Sequence, residues 1–415
     1  MQKSSRDKVV AGLDIGSSKV VFLIGLPNAN DGIDVVGFGS VPSPGLRHGV
    51  LINIEQTIEA IRRAKEEAEL MAGHKADEVW LGIGGTHIKS FDSKGMVAIK
   101  NKETQNDDIT RVIEAAKAVA VPADREVLHV LPREFKVDDQ EGISDPIGMS
   151  GVRLEALIHI VTGANSAIQN IVKCTQKANL KVKGLVLQSL ASSLAVLSED
   201  EKKLGVAYVD VGAGTTDLII YNNGSVAYTA VLPVGGGYFT HDIAVGLRTP
   251  QDCAEEIKKK HGSALLNLIN EEETIEVKSV GGRESRTVLR KNLCEVIEPR
   301  AEEILNLIKA EIAKSNLQSQ LGSGMVLSGG GSLLDGLVEM GEFIFDIPVR
   351  RGLPTQVGGL TDVVRSPLYS APVGLLKYGL SELHLDKEIT NDGKKFPEIV
   401  VDWAKKLRDV IAQGL

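Results

Sequence analysis

Three cysteines in 415 residues, Cys174, Cys253 and Cys294, are too few and too scattered for a disulfide framework or a cysteine metal site. They read as small buried apolar residues with reduced thiols, which fits a cytoplasmic chain. Long apolar runs are also missing, because no stretch reaches the roughly 20 residues that a membrane-spanning helix needs. The N-terminus from Met1 to Lys8 is polar, and Asp14 and Lys19 interrupt the apolar run after it, which excludes a signal peptide. Nor is there an excess of positive charge. Lysine and arginine number 47 against 55 acidic residues, a formal charge of −8, so nucleic acid is not the expected ligand. What remains is an ordinary soluble composition, 43% apolar and 25% charged. At this length roughly two to four packed subdomains are expected rather than one core.

The segment 9–25, VVAGLDIGSSKVVFLIG, reads as strand, tight turn and strand, since branched and aromatic residues flank a Gly/Ser turn. The pattern returns at 206–224, VAYVDVGAGTTDLIIYNNG, closed by an Asn-Gly hairpin turn. Asp14-Ile-Gly-Ser matches Asp210-Val-Gly-Ala at a spacing of 196 residues, which suggests two related lobes. After the first hairpin, Asn53 opens an amphipathic helix that Gly73 closes, and the strand 79–83 ends at Gly84-Gly85. Residues 85–162 mix short strands (96–99, 127–131) with a helix capped at Asn106 and stopped by Pro122. This stretch has its own alternation and no phosphate-type loop, and reads as an inserted α/β subdomain. A helix over 165–179 and a strand over 184–187 restore the main lobe. Helical patterns then fill 251–270 and 295–314, with two strands around Gly281-Gly282 between them. From Met325 a strand runs into Gly329-Gly330-Gly331 and then a helix. A polar linker follows Leu385, and a last amphipathic segment covers 398–412.

A hairpin tipped by Gly-Ser-Ser or Gly-Ala-Gly-Thr-Thr can aim backbone N–H groups and hydroxyls at anionic oxygens, and glycine lets a phosphate approach the main chain. A carboxylate just before each tip cannot touch phosphate itself. Asp14 and Asp210 make sense as ligands of a Mg²⁺ held through water. Gly329, Gly330 and Gly331 before a helix would seat an adenosine or its phosphate, or simply make a tight strand-to-helix turn. In the tail, Ile399, Val400, Trp403, Leu407, Val410 and Ile411 share one helical face. Lys405, Lys406 and Arg408 lie on or beside the other, with Lys394 and Lys395 upstream. That composition suits the plane of a membrane interface. It also suits a helix docked on the protein's own core or a partner, and Asp402 and Asp409 cancel part of the positive charge.

Hairpin, insert, second hairpin and glycine turn, in this order, resemble the actin, Hsp70 and sugar-kinase superfamily. Within it the chain is similar to the FtsA family of bacterial cell-division proteins. The resemblance is carried by Asp14-Ile-Gly-Ser-Ser-Lys19, Gln188-Ser-Leu-Ala-Ser-Ser193 and Leu204 to Asp217. Ala254 to Gly262, Val280 to Arg283 and Glu295 to Arg300 continue it, so that it covers about 8–385. Actin itself carries its extra subdomain elsewhere in the sequence. The implied fold is α/β: an actin-like two-lobed ATPase with an FtsA-type insert, a C-terminal linker and an amphipathic helix. The implied divisions are 8–84 (lobe 1 core), 85–162 (insert), 163–202 (lobe 1 continued) and 203–240 (lobe 2 core). Then come 241–315 (lobe 2 outer subdomain), 316–355 (lobe 2 continued, with the adenosine turn), 356–385 (lobe 1 closing segment), 386–397 (linker) and 398–415 (membrane-targeting helix).

The resemblance also implies roles. Gly16, Ser17, Ser18 and Lys19 would hold the β- and γ-phosphates of ATP from one lobe, and Gly212, Gly214, Thr215 and Thr216 from the other. Glu255 and Lys258, one helical turn apart, would contact the nucleoside. Gln188 stands where relatives keep a water-positioning residue, or else simply caps a strand. Asp217 is a metal ligand or a turn acceptor. The expected cofactors are ATP and Mg²⁺, with at most slow hydrolysis, since no strong general base shows in the motifs. The implied function is a filament on the cytoplasmic face of the inner membrane at the division site. It would anchor the FtsZ ring, with Arg300 contacting the acidic FtsZ C-terminal tail, and recruit later division proteins through the insert. Two alternatives share the fold. One is a pilus-assembly adaptor of the same subfamily. The other is a sugar or acetate kinase, for which neither a catalytic acid nor a substrate-binding insert is identifiable. An Hsp70-type chaperone is disfavoured because no substrate-binding domain follows the lobes.

Overall fold

Two hairpins seed two sheets. The computed structural model describes residues 9–29, 32–47, 49–270 and 272–391. In the first sheet Val10–Ile15 pairs antiparallel with Lys19–Pro27 and parallel with Glu78–Ile83. The full order is Lys181–Leu187, Glu78–Ile83, Val10–Ile15, Lys19–Pro27, Ile33–Pro42 and Val357–Gly359. In the second, Val206–Val211 pairs antiparallel with Thr216–Asn222 and parallel with Met325–Ser328. Ser225–Leu232 and Val349–Arg351 complete it. Each hairpin thus has the same neighbour on the same side, which is what a duplicated half-chain requires.

Apart from Asp14 and Asp210 near their ends, the central strands Val10–Ile15 and Val206–Val211 are apolar, because both faces are covered. Helix Ile54–Ala72 packs on the Lys19–Pro27 and Ile33–Pro42 strands, and helix Ser370–Asn391 packs on Val10–Ile15. Asn53 caps the first of these by accepting from the Gln56 N–H at 3.1 Å, and Gly73 ends it in the left-handed region at φ 65°. In the second sheet Val206 and Tyr208 join the core of the first lobe, whereas Ala207, Val209 and Val211 face a separate core.

The insert has its own four-stranded sheet, ordered Lys89–Ala98, Arg153–Ala164, Arg125–Val137 and Gln140–Ile143. Helix Asn106–Lys117 buries Ile109, Val112 and Ile113 against Phe135, Leu154 and Ile158. The strands run well beyond the expected 96–99 and 127–131. Polar residues on their outer faces break the apolar pattern, and a register shift opposite Leu157 and Ile158 accommodates Pro132, which lacks an N–H. The insert's helix stops at Lys117, short of Pro122.

Two other boundaries differ from expectation. Helix Gln251–His261 ends at Gly262, whose N–H closes on the Lys258 carbonyl, rather than running to 270. The closing helix Ser370–Asn391 continues into the segment expected to be linker. Residues 398–412, expected as the amphipathic helix, lie outside the described residues.

The closing helix crosses the connecting helix Gln188–Val196 at a point where only glycine fits. A Cβ on Gly374 would lie 1.7 Å from the Ala191 carbonyl oxygen. Backbone cannot yield as a side-chain tip can, so Gly374→Ala should destabilise the protein by about 3 kcal/mol, read as a lower midpoint in chemical denaturation. An unchanged midpoint would contradict this packing.

Candidate functional site

The two hairpin tips are built alike. Four residues lie between the last paired positions, Ile15 with Val20 and Val211 with Thr216. In each tip the leading glycine closes the turn: Gly16 N–H donates to the Lys19 carbonyl and Gly212 N–H to the Thr215 carbonyl, both at 2.9 Å. Neighbours brace them. Gly49 N–H donates to Ser17 Oγ at 2.9 Å, and Ser43 N–H to the Ser18 carbonyl at 3.0 Å. Beneath the second tip, Gly236 and Gly237 N–H donate to the Gly212 and Ala213 carbonyls, both at 2.8 Å. A Cβ on Gly235 would sit 2.6 Å from the Gly212 oxygen. The Gly235–Gly237 support was not anticipated, although a glycine triplet closing a strand is the same signal as Gly329–Gly331.

One helix holds both aspartates. Gln188, the first residue of Gln188–Val196, donates from Nε2 to Asp14 Oδ1 at 2.6 Å. One turn later Ser192 Oγ donates to Asp210 Oδ2 at 2.8 Å. Residues four apart share a helix face, so this face spans the two hairpins. Gln188 fits only because its neighbour is bare, since a Cβ on Gly84 would lie 1.8 Å from Gln188 Oε1. Sequence reasoning singled out Gln188 and missed Ser192.

The glycine turn closes the same centre. Gly329 adopts φ 76°, and a Cβ there would meet Asp210 Oδ1 at 2.2 Å. Gly331 lies against Val211, and Gly330 beside Leu368. Glu255 and Lys258 pair at 2.6 Å on helix Gln251–His261. The Lys258 ammonium also donates to the Gly236 carbonyl at 3.0 Å and to Thr240 Oγ1 at 2.8 Å. Thr240 was likewise missed. Thr216 is a correction: its side chain is fully buried and its hydroxyl donates to the Val234 carbonyl at 2.7 Å, so it supports the loop instead of offering a hydroxyl to a phosphate. Asp14, Gly16, Ser17, Ser18, Lys19, Asp210, Gly212, Gly214, Thr215, Glu255, Lys258 and the 329–331 turn belong to one connected frame.

The frame is short of positive charge. Burial raises the Asp14 pKa, opposed by the Gln188 hydrogen bond and by Lys19. Burial, with Asp14 adding repulsion, pushes Asp210 up to about 6 against the Ser192 hydrogen bond. Burial and then Asp210 push Asp217 up to about 7, although Thr215 Oγ1 donates to its Oδ2 at 3.1 Å. Asp217 Oδ1 is buried without a partner. Lys19 is the cation among them, brought down to about 8 by burial against the pull of Asp14 and Asp210, its ammonium 4.4 Å from the Tyr369 ring centre. Three raised carboxyls around a glycine cradle suit a divalent cation. Among the described residues no three His, Cys, Asp or Glu side chains form a cage for a bare ion. Asp14 and Asp210 would be the residues to hold Mg²⁺ there, through its waters rather than directly.

Arg300 lies in helix Arg290–Ser315 and is engaged within the chain. It donates to Asp242 Oδ2 from Nε at 2.6 Å, pairs with Glu303, and stacks over Tyr238.

Two matched hairpins joined through one helix, with a glycine turn between them, define the actin-like two-lobed ATPase class. Solved structures agree on the fold. The PilM-PilN type IV pilus biogenesis complex matches with a TM-score of 0.63 at 17% identity, covering 89% of this chain and 98% of that one. MreB5 of Spiroplasma citri bound to ADP matches with a TM-score of 0.53 at 14% identity, covering 93% and 99%.

Sequence relatives are closer. The family model described as cell division protein FtsA matches 207–374, and that of the SHS2 domain inserted in FtsA matches 85–162. The type IV pilus assembly protein PilM model matches 147–265. Cell division protein FtsA of Pseudomonas aeruginosa is 50% identical over 90% of both chains. That of Escherichia coli K12 is 41% identical over 98% of both. The chain belongs to the FtsA family of cell-division proteins.

A carboxyl whose pKa rises on folding lowers stability once the pH exceeds its ordinary value near 3.9, and the loss is complete above the folded value. For Asp210 the folded value is about 6. Ligand-free Asp210→Asn should therefore be more stable than the parent at pH 8, by something on the order of 1–2 kcal/mol, with the gain vanishing near pH 4. The same variant should lose most of the extra stabilisation that Mg²⁺ adds to ATP. Thermal melts across pH, with and without Mg²⁺-ATP, check both halves.

Proposed function

We propose that this FtsA-family chain binds ATP with Mg²⁺ between its two hairpins and polymerises on the cytoplasmic face of the inner membrane at the division site. There it anchors the FtsZ ring and helps recruit later division proteins through the insert. The observation that carries the nucleotide part is the convergence of both hairpin aspartates on one helix, Gln188 to Asp14 and Ser192 to Asp210. A cradle of backbone N–H groups beside under-compensated carboxylates is suited to a phosphate chain with its cation. That MreB5 of Spiroplasma citri has been solved with ADP and with AMPPNP supports nucleotide as the ligand class.

In this reading Gly16, Ser17, Ser18 and Lys19 hold the terminal phosphates from one side, and Gly212, Gly214 and Thr215 from the other. Asp14 and Asp210 hold Mg²⁺ through water. Glu255 and Lys258 face the nucleoside, and Gly329, Gly330 and Gly331 seat it. When bound, Mg²⁺ would neutralise the phosphates and the carboxyl cluster together. Gln188 orients Asp14 and in this reading would position a water, and the cleft acts as an assembly switch with slow turnover.

Arg300 is the proposed contact for the acidic FtsZ tail. An incoming carboxylate must compete with Asp242 and Glu303, which makes this contact weak until those side chains move. Among the described residues no helix is long and apolar enough to cross a membrane. Attachment would come from the 398–412 segment lying in the interface. A single short helix binds reversibly, so stable attachment needs many copies in a polymer.

The second reading, a pilus-assembly adaptor, is favoured by the PilM family match over 147–265 and by the PilM-PilN fold match. Electron microscopy on an anionic lipid monolayer separates the two. The full chain with Mg²⁺-ATP is expected to form lipid-bound filaments, and a chain ending at Asn391 to form none on the lipid. Equal lipid binding by both chains would overturn the anchor, and failure to polymerise with ATP would favour the adaptor.

A further inference from the structure

The insert meets the rest of the molecule at a seam that contains two buried histidines, neither of which is needed for the insert's own core. His129, in Arg125–Val137, is 6% exposed, and its Nε2 accepts the backbone N–H of Leu187 at 2.9 Å. Leu187 immediately precedes Gln188 and is the cap residue of the helix that holds Asp14 and Asp210. The imidazole can accept there only as the neutral ring with its proton on Nδ1. Burial keeps it in that form by lowering its pKa to about 4. Its ring also lies edgewise to Tyr378 of the closing helix, with centres 6.5 Å apart.

His159, in Arg153–Ala164, is 1% exposed and reaches the other lobe. Its Nε2 is 3.0 Å from Thr229 Oγ1, and its Nδ1 is 2.7 Å from Asp92 Oδ1. Arg133 pairs with the same Asp92, and Ser90 Oγ donates to the Thr229 carbonyl at 2.8 Å. Thr229 lies in Ser225–Leu232 opposite Ile219, on the strand paired with the second arm of the second hairpin. One insert histidine therefore holds the start of the helix that grips the two aspartates, and the other holds the strand beside the second hairpin.

From these contacts we infer that His129 is a positioning residue for the nucleotide cleft, and that through it and the His159–Thr229 contact the insert and the bound nucleotide bias each other's position. The inference rests on the reading of the cleft as a Mg²⁺-ATP site. The physical reason is direct. Gln188 and Ser192 reach two carboxylates on different strands from one short helix, so a small displacement of its first residue moves both side chains and loosens the joint grip on Asp14 and Asp210. Leu187 N–H donates to His129, and removing that acceptor weakens the donor's pairing or moves the helix start. Coupling of this kind is reciprocal: a partner that displaces the insert changes nucleotide affinity by the factor by which nucleotide changes the partner's affinity.

The test uses the full chain with ATP as the probe, with and without Mg²⁺. Calorimetry reports affinity, and hydrogen exchange reports protection of 125–137 and 225–232. His129→Phe keeps an aromatic ring beside Tyr378 and removes the acceptor, whereas His129→Gln restores an acceptor. Expected are roughly tenfold weaker Mg²⁺-ATP binding in H129F with metal-free ATP changed less than about twofold, loss of nucleotide-dependent protection in the insert, and recovery of most of both in H129Q. Parental Mg²⁺-ATP affinity in H129F, or equal loss of both forms of ATP, would overturn the positioning role. If H129F does not fold, Thr229→Val decides from the other side of the seam: its insert should no longer gain protection with nucleotide, and unchanged protection would sink the coupling. Failure of the parent chain to bind Mg²⁺-ATP at all would be a different result, removing the cleft reading and the coupling with it.

Discussion

The grip of one nine-residue helix on two aspartates is the constraint on which the rest of the site depends. Gln188 and Ser192 are separated by a single turn, yet they reach carboxylates that lie 196 residues apart in sequence and in different sheets. For both bonds to form, the sheets must meet at a fixed spacing. Gly374 allows the closing helix to press on Ala191 from behind, and Gly84 leaves room for the Gln188 side chain. The hydroxyl of Ser193 meets that of Tyr221 at 2.7 Å, so the next residue of the helix is tied to the second hairpin as well.

Electrostatics gives the frame its direction. Asp14, Asp210 and Asp217 are each raised by burial, Asp210 further by Asp14 and Asp217 further by Asp210, while Lys19 supplies the opposing charge. Such a cluster is destabilising when empty at neutral pH and is relieved by a cation that brings its own anionic ligand. Binding free energy and folding free energy are then linked, because whatever neutralises the cluster favours the closed arrangement. This suits a switch, where occupancy must change a preferred geometry, better than it suits rapid turnover.

Much of this was legible in the chain, for identifiable reasons. The hairpins stood out because Gly-Ser-Ser and Gly-Ala-Gly-Thr-Thr interrupt strongly apolar strands, and the shared aspartate before each tip marked them as copies. Asn53 and Gly73 marked the ends of their amphipathic helix by cap chemistry. The insert announced itself by its own alternation, but its strand lengths did not, since the solvent faces and Pro132 hid them. Thr216 looked like a phosphate ligand because the motif cannot say which of two adjacent hydroxyls turns inward. Ser192, His129 and His159 were invisible for a different reason. Each acts through a partner 18 or more residues away, at a separation that no local pattern encodes.

The central claim is that both hairpins hold one metal-nucleotide through a single helix. A double-mutant cycle on Mg²⁺-ATP affinity tests it most directly, using Gln188→Ala, Ser192→Ala and the pair together. If the helix acts as one clamp, either single change releases most of the grip, and the double variant should bind scarcely more weakly than the worse single one. Strictly additive losses would mean that the two aspartates are held independently, and would contradict the account.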